Sequence, residues 1–129
     1  MADNKSIETS AVLLVDDDDL ILEVGEKLLE ALGYQVLKAE SGKEAIAIYD
    51  KNKETIDLVI LDMVMPDKDG GATYDMLKAV DPGIKVLLSS GCNLDGEAAA
   101  ILERGCNGFI QKPFRMKDLS EKIKEILGN

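Results

Sequence analysis

Short apolar runs alternate along this chain with segments whose apolar residues return every three or four positions. The runs Ala11–Val15, Gln35–Ala39, 58–61, 84–89 and Gly108–Gln111 are rich in Val, Ile and Leu. Each is expected to form a short strand, and continuous stretches such as AVLLV, LVIL and VLL suit strands covered on both faces, as in a parallel sheet. Between them, Leu20, Val24, Leu28 and Leu32 repeat every fourth residue and predict a helix that Gly33 ends. Ser41 followed by Glu44 is a capping box opening a second helix with Ala45, Ile46 and Tyr49. A third helix is expected from about Asp69-Gly70 through Tyr74, Leu77 and Val80, stopping at Asp81-Pro82-Gly83. A fourth, over 95–104, carries Ala98, Ala99 and Ala100 and ends at Gly105; the last presents Leu119, Ile123 and Ile126 and finishes at Gly128. Five strand–helix units predict an α/β fold: a doubly wound, five-stranded parallel sheet with helices on both faces.

In such sheets ligands bind beyond the C-terminal strand ends, near the topological switch point. The polar residues concentrate there. Four aspartates, Asp16 to Asp19, follow the first strand; Asp62 ends the third, Ser89-Ser90 the fourth and Lys112-Pro113 the fifth. With the first strand in the middle of the sheet, these ends converge on one edge. Three carboxylates a few ångströms apart require a cation to stay ionised together. Carboxylate oxygens without soft or imidazole ligands point to Mg²⁺, which takes one or two carboxylates plus phosphate oxygens. Lys112 adds a second positive charge for an anion. The expected site holds a phosphoryl group beside Mg²⁺, with one aspartate as nucleophile. Asp18 or Asp19 is expected to cap the first helix instead.

Composition narrows the classes further. The 129 residues suit one domain, and a formal net charge of −10 disfavours direct binding to nucleic acid. The chain has no His, which excludes His general bases, Cys/His zinc sites and a built-in phosphohistidine donor. Cys92 and Cys106 form no CxxC and read as small apolar fillers in a reduced, cytoplasmic protein. No apolar run reaches the roughly 18 residues of a membrane span, so no membrane insertion is expected. Residues 1–9, polar and without an apolar core, read as a flexible leader before a domain over 10–128.

Four motifs in order, VDDD, LDMVMPDKDG, LLSSG and FIQKPF, closely resemble the receiver domain of two-component response regulators, over about residues 9 to 128. The resemblance implies a flavodoxin-like (βα)5 fold with strand order 2-1-3-4-5. It implies that Asp62 accepts a phosphoryl group from the phosphohistidine of a histidine kinase or phosphotransfer protein. It further implies that Asp17, Asp62 and the backbone carbonyl of Val64 ligate Mg²⁺, with Asp16 acting through a metal-bound water. Ser90 and Lys112 would bind phosphoryl oxygens, and Pro113 would follow a cis peptide. Phe109 occupies the switch position that follows Ser90, and the fourth helix, fifth strand and fifth helix would form the surface read by a downstream effector. A dimer formed on phosphorylation belongs to the same set of expectations. The chain reads as a stand-alone receiver or as the receiver of a hybrid sensor kinase.

Each residue also has a plainer reading. Asp16 and Asp17 alone would suit a solvated turn, Lys112 a surface position, Ser89 a packed or turn-forming residue and Phe109 a core aromatic; Tyr49 and Tyr74 read as packing residues. Phe109 lacks the hydroxyl of a Tyr, so its switching would rest on packing. Gly91 leaves space beside the phosphoryl group, and Val64 and Cys92 offer little polarity to orient an attacking water, so slow self-dephosphorylation is expected. A small Mg²⁺-dependent phosphatase with an aspartyl-phosphate intermediate is a different reading. It would need an acid at position 64, where Val stands. A receiver-like fold that only binds a partner would not need the set Asp62, Ser90 and Lys112.

Overall fold

The three central strands are buried because both of their faces are covered, and alternate residues divide between two apolar layers. Leu13, Val15, Val59, Leu61, Val86 and Leu88 point to one layer; Val12, Leu14, Leu58, Ile60, Leu87 and Ile110 point to the other. Each fully buried side chain of this size contributes roughly 1.5–3 kcal/mol, so the double cover is what makes short, continuous apolar strands stable here.

The computed structural model describes residues 10–63, 70–91 and 96–128. In chain order the elements are β1 (Ala11–Val15), α1 (Asp19–Ala31), β2 (Gln35–Ala39), α2 (Gly42–Asn52), β3 (Ile56–Asp62), α3 (Gly70–Val80), β4 (Val86–Ser90), α4 (Gly96–Glu103), β5 (Gly108–Gln111) and α5 (Met116–Leu127). The five strands form one parallel sheet in the order β2-β1-β3-β4-β5. Leu22 and Leu29 of α1 and Leu119 and Ile123 of α5 cover one face. Ala45 and Tyr49 of α2, Tyr74 and Leu77 of α3, and Ala98 and Ile101 of α4 cover the other. This is the expected doubly wound (βα)5 architecture.

Three local differences have physical causes. β3 begins at Ile56 rather than at position 58, because the polar Asp57 belongs to the strand and its Oδ2 accepts the Ala11 N–H at 2.9 Å. β4 begins at Val86 because the Ile84 N–H turns back to the Asp81 carbonyl, 3.0 Å away. In α1 the strict every-fourth stripe does not face the core: Leu20 is 64% and Val24 43% exposed, whereas Leu22, Gly25 and Leu29 are buried. A spacing of four advances 40° past a full turn at each step, so that stripe winds around the helix and reaches the core only at Leu28 and Leu32, both partly buried.

The helix ends follow local chemistry. Asp18 caps α1, its Oδ1 accepting the Leu20 N–H at 2.9 Å, and Asp19 lies in the first turn, where a carboxylate meets the positive end of the dipole. At the other end Gly33, at φ +98°, donates to Glu30, and Tyr34 donates to Leu29, the paired bonds of a Schellman motif. Ser41 caps α2 through the Glu44 N–H at 3.0 Å. Glu44 returns its carboxylate to the N–H of Glu40, one residue before the cap.

Candidate functional site

Register brings the site together. Val15 pairs with Leu61, so Asp16 and Asp62 leave the sheet side by side; Asp62 in turn pairs with Ser89, and Ser90 with Gln111, next to Lys112. Asp16 and Asp62 are 1% and 3% exposed, Ser90 is buried and Asp17 lies open to solvent. One carboxylate oxygen from each of Asp16, Asp17 and Asp62 lies within 4.8 Å of the other two.

Lys112 reaches into this cluster from the end of β5. Its Nζ donates to Asp16 Oδ2 at 2.8 Å and to Asp62 Oδ1 at 3.1 Å, with the lysine side chain only 16% exposed. Burial by itself pushes the Lys112 pKa down, but the hydrogen bond to Asp16 and the charges of Asp62 and Asp16 outweigh it and hold the value above the usual lysine range. The backbone fixes the approach: the Lys112 N–H donates to the Ser90 carbonyl at 2.7 Å, and the following Lys112–Pro113 bond is cis, as expected. Asp16 is fixed at both ends, its N–H donating to Ala39 and its Oδ1 accepting the Asp18 N–H at 3.0 Å.

The arrangement is chemically specific. Two buried carboxylates share one ammonium, and a third, exposed carboxylate opens the cluster to solvent. The donor set is all hard oxygen, with neither imidazole nor thiolate, and it fits a small divalent cation of the Mg²⁺ type. Asp16, Asp17 and Asp62 could hold such an ion, with Lys112 neutralising an anion beside it.

Of the other expected residues, Val64 lies outside the described residues, as do Cys92 and residues 1–9. Phe109 sits on β5 beside Leu88, partly buried against the layer shared by α3 and α4. Ser89 is buried, and its Oγ has no hydrogen-bond partner among the described residues. Cys106 is a free, buried thiol that donates to the Val86 carbonyl at 3.3 Å, and burial holds its pKa above the usual value.

The sequence treated Gly70 only as a helix start, whereas the structure gives it a place in the site. A Cβ at this position would lie 2.6 Å from Met63 Cα and 3.2 Å from the Asp62 carbonyl oxygen. Its N–H donates to the Met63 carbonyl at 2.7 Å. The first turn of α3 is thus pressed on the backbone that carries Asp62, and the Asp-Gly pair at 69–70 was the available signal.

Comparison with known proteins agrees with this geometry. Residues 12–124 match the response regulator receiver domain family. The chain is 36% identical over 119 residues to the sensor kinase CckA of Brucella abortus, covering 92% of this chain and 13% of that protein. It is 34% identical over 117 residues to the transcriptional regulatory protein CpxR of Klebsiella pneumoniae, covering 90% of this chain and 48% of the relative. The chain therefore spans less than half the length of either relative. Among solved structures, a response regulator receiver domain protein from Clostridium thermocellum superposes with a TM-score of 0.87 at 31% identity, covering 92% of this chain and 94% of that one.

Proposed function

This chain belongs to the response regulator receiver domain family, and we propose that it is a phosphorelay module in which Asp62 is the phosphoacceptor. The observation that carries the assignment is the Lys112 ammonium held between Asp16 and Asp62, with Asp17 beside them. A carboxylate at a strand end, a cation already aimed at it and room for a second cation are the parts that phosphoryl transfer to an aspartate requires.

In this reading an Asp62 oxygen attacks the phosphorus of a phosphohistidine on a histidine kinase or phosphotransfer protein. The new O–P bond forms as the N–P bond breaks, and the electron pair returns to the imidazole of the donor. Such transfers spread charge over the phosphoryl oxygens, so the protein's contribution is positioning and charge neutralisation. Lys112 turns from Asp62 to an oxygen of the incoming group, and the Ser90 hydroxyl donates to another. Mg²⁺, when bound, supplies charge neutralisation at the phosphoryl oxygens. Asp17 and Asp62 would hold it directly, Asp16 through water, and the Val64 carbonyl would complete the protein ligands.

The output is a shift between two arrangements of the α4–β5–α5 surface, with Ser90 moving toward the phosphoryl group and Phe109 following by packing. An effector protein, or a second phosphorylated copy, would read that surface. Slow dephosphorylation accompanies the role. The likeness to a sensor kinase receiver and to transcriptional regulators is compatible with a receiver that works alone or as part of a longer protein. A cytoplasmic location fits such a role; no helix among the described residues is long and apolar enough to cross a membrane.

Intact-mass spectrometry after incubation with acetyl phosphate tests the assignment. The expected result is a gain of one phosphoryl group that requires Mg²⁺, is lost in Asp62→Ala and is removed by hydroxylamine. A phosphoryl group retained in Asp62→Ala would overturn the assignment.

A further inference from the structure

Gly25 lies mid-way along α1, on its buried stripe between Leu22 and Leu29. A glycine inside a helix is ordinarily a cost relative to alanine, so its presence here calls for a contact that a side chain would spoil. An added Cβ would lie 2.6 Å from Leu14 Cδ2 and 3.5 and 3.6 Å from two ring carbons of Phe114. Leu14 is 1% and Phe114 8% exposed, so neither side chain has solvent to swing into. In a close-packed interior the displacement is passed on to neighbouring groups.

Those two neighbours are not arbitrary. Leu14 precedes Asp16 by two residues on β1, and Phe114 follows Lys112 by two residues on the loop after β5. The absent side chain of Gly25 thus leaves room for Leu14, while Phe114 would stay at ordinary contact distance; the two flank the segments whose ends meet in the 2.8 Å contact between Lys112 and Asp16. We infer that Gly25 is a positioning residue for the acidic site: its bare backbone admits the Leu14 side chain beside Phe114, and through β1 sets where Asp16 meets the Lys112 ammonium. The inference rests on the reading of that site as a phosphoacceptor centre and adds to it the helix face that holds the site in register.

Two readouts test it. One is the initial rate of phosphorylation by acetyl phosphate at saturating Mg²⁺. The other is the NMR signal of the Lys112 ammonium in ¹⁵N-lysine protein, assigned with Lys112→Met. Gly25→Ala should remain folded and melt cooperatively, yet phosphorylate about fivefold more slowly, since a misplacement of ~1 Å can cost up to about a hundredfold. Its Lys112 signal should move and exchange faster with water. Adding Leu14→Val removes the atom that the new methyl meets and should restore both readouts to about the parental values.

A native rate in Gly25→Ala would overturn the inference, as would an unmoved Lys112 signal or a loss that Leu14→Val fails to restore. Should Gly25→Ala be too unstable to assay, the double variant is compared with Leu14→Val alone. Matching Lys112 signals are expected, and loss confined to the double variant overturns the inference. If the parent chain takes up no phosphoryl group, the proposed function falls, while the Lys112 signal still decides the role of Gly25.

Discussion

The Lys112 ammonium stands 3.1 Å from Asp62 Oδ1, across fifty positions of sequence. No local preference creates this pair; it exists because β5 and β3 end at the same edge of one sheet, with β4 between them. Because Asp62 is buried and shares the ammonium with Asp16, the pair ties stability and chemistry to the same charge.

Lys112→Met should therefore weaken the fold as well as the chemistry. Removing one partner of a buried ionic group leaves the carboxylates without their counter-charge, a loss of about 2 kcal/mol in a site this open on one side. Urea unfolding without Mg²⁺ should reveal that loss, and the gap to the parent chain should narrow as Mg²⁺ is added and binds only the folded protein. Phosphoryl uptake should remain impaired at every Mg²⁺ concentration.

The same pair sets an alkaline limit. The folded-state pKa of Lys112 lies above its ordinary 10.5, so its contribution is complete below pH 10.5 and fades as pH rises through the higher folded value. The difference in unfolding free energy between the parent and Lys112→Met should stay constant from neutral pH to about 10 and shrink beyond that. Tyr49, whose pKa is also raised by burial and by its bond to Asp81, is present in both proteins and cancels in that difference.

Asp17 is exposed and pairs with no described residue in the cluster, so its charge is available to a cation. Asp17→Asn should leave thermal stability without Mg²⁺ undiminished or slightly raised, since it relieves repulsion in the cluster, while weakening Mg²⁺ binding roughly tenfold or more. Calorimetric titration measures this; an unchanged dissociation constant would remove Asp17 from the ligand set.

Gly70→Ala should destabilise the fold, although exchanging Gly for Ala in a helix ordinarily stabilises it. The new methyl would meet the backbone of Met63, which cannot rotate away, and a loss of about 2 kcal/mol or more is expected. Thermal unfolding gives the sign directly.

Far from the site, the Tyr49 hydroxyl donates to Asp81 Oδ2 at 2.7 Å and ties α2 to the end of α3. That bond and the Gly83 N–H hold the Asp81 carboxyl below its ordinary 3.8. The contribution is present above pH 3.8 and is lost as pH falls through the lower folded value. Tyr49→Phe should cost about 1 kcal/mol at neutral pH, and the difference should shrink in acid-unfolding curves below that range, where only the weaker bond to a neutral carboxyl remains.

How much of this was legible beforehand differs from element to element. β1, β2 and β5 were readable to the residue because their apolar runs are bounded by charge or turn residues. α1 was readable as a helix, yet its buried face was not, since Leu20 and Val24 satisfy the spacing as well as Leu22 and Leu29 do. That Asp18 or Asp19 would cap the first helix was legible, but the choice of Asp18 needed the Leu20 N–H in place.

By itself the sequence determined the alternation of five strands and five helices, because burial on two faces and helical periodicity leave local marks that no partner element is needed to see. It also determined which residues stand at strand ends, and so which side chains were available to a site. Tertiary structure alone decided that Lys112 would divide its ammonium between Asp16 and Asp62, and that Gly25 and Gly70 would matter for the side chains they lack. Those are contacts between segments distant in sequence, set by packing at the level of single atoms, and a pattern of apolar and polar letters carries no distance.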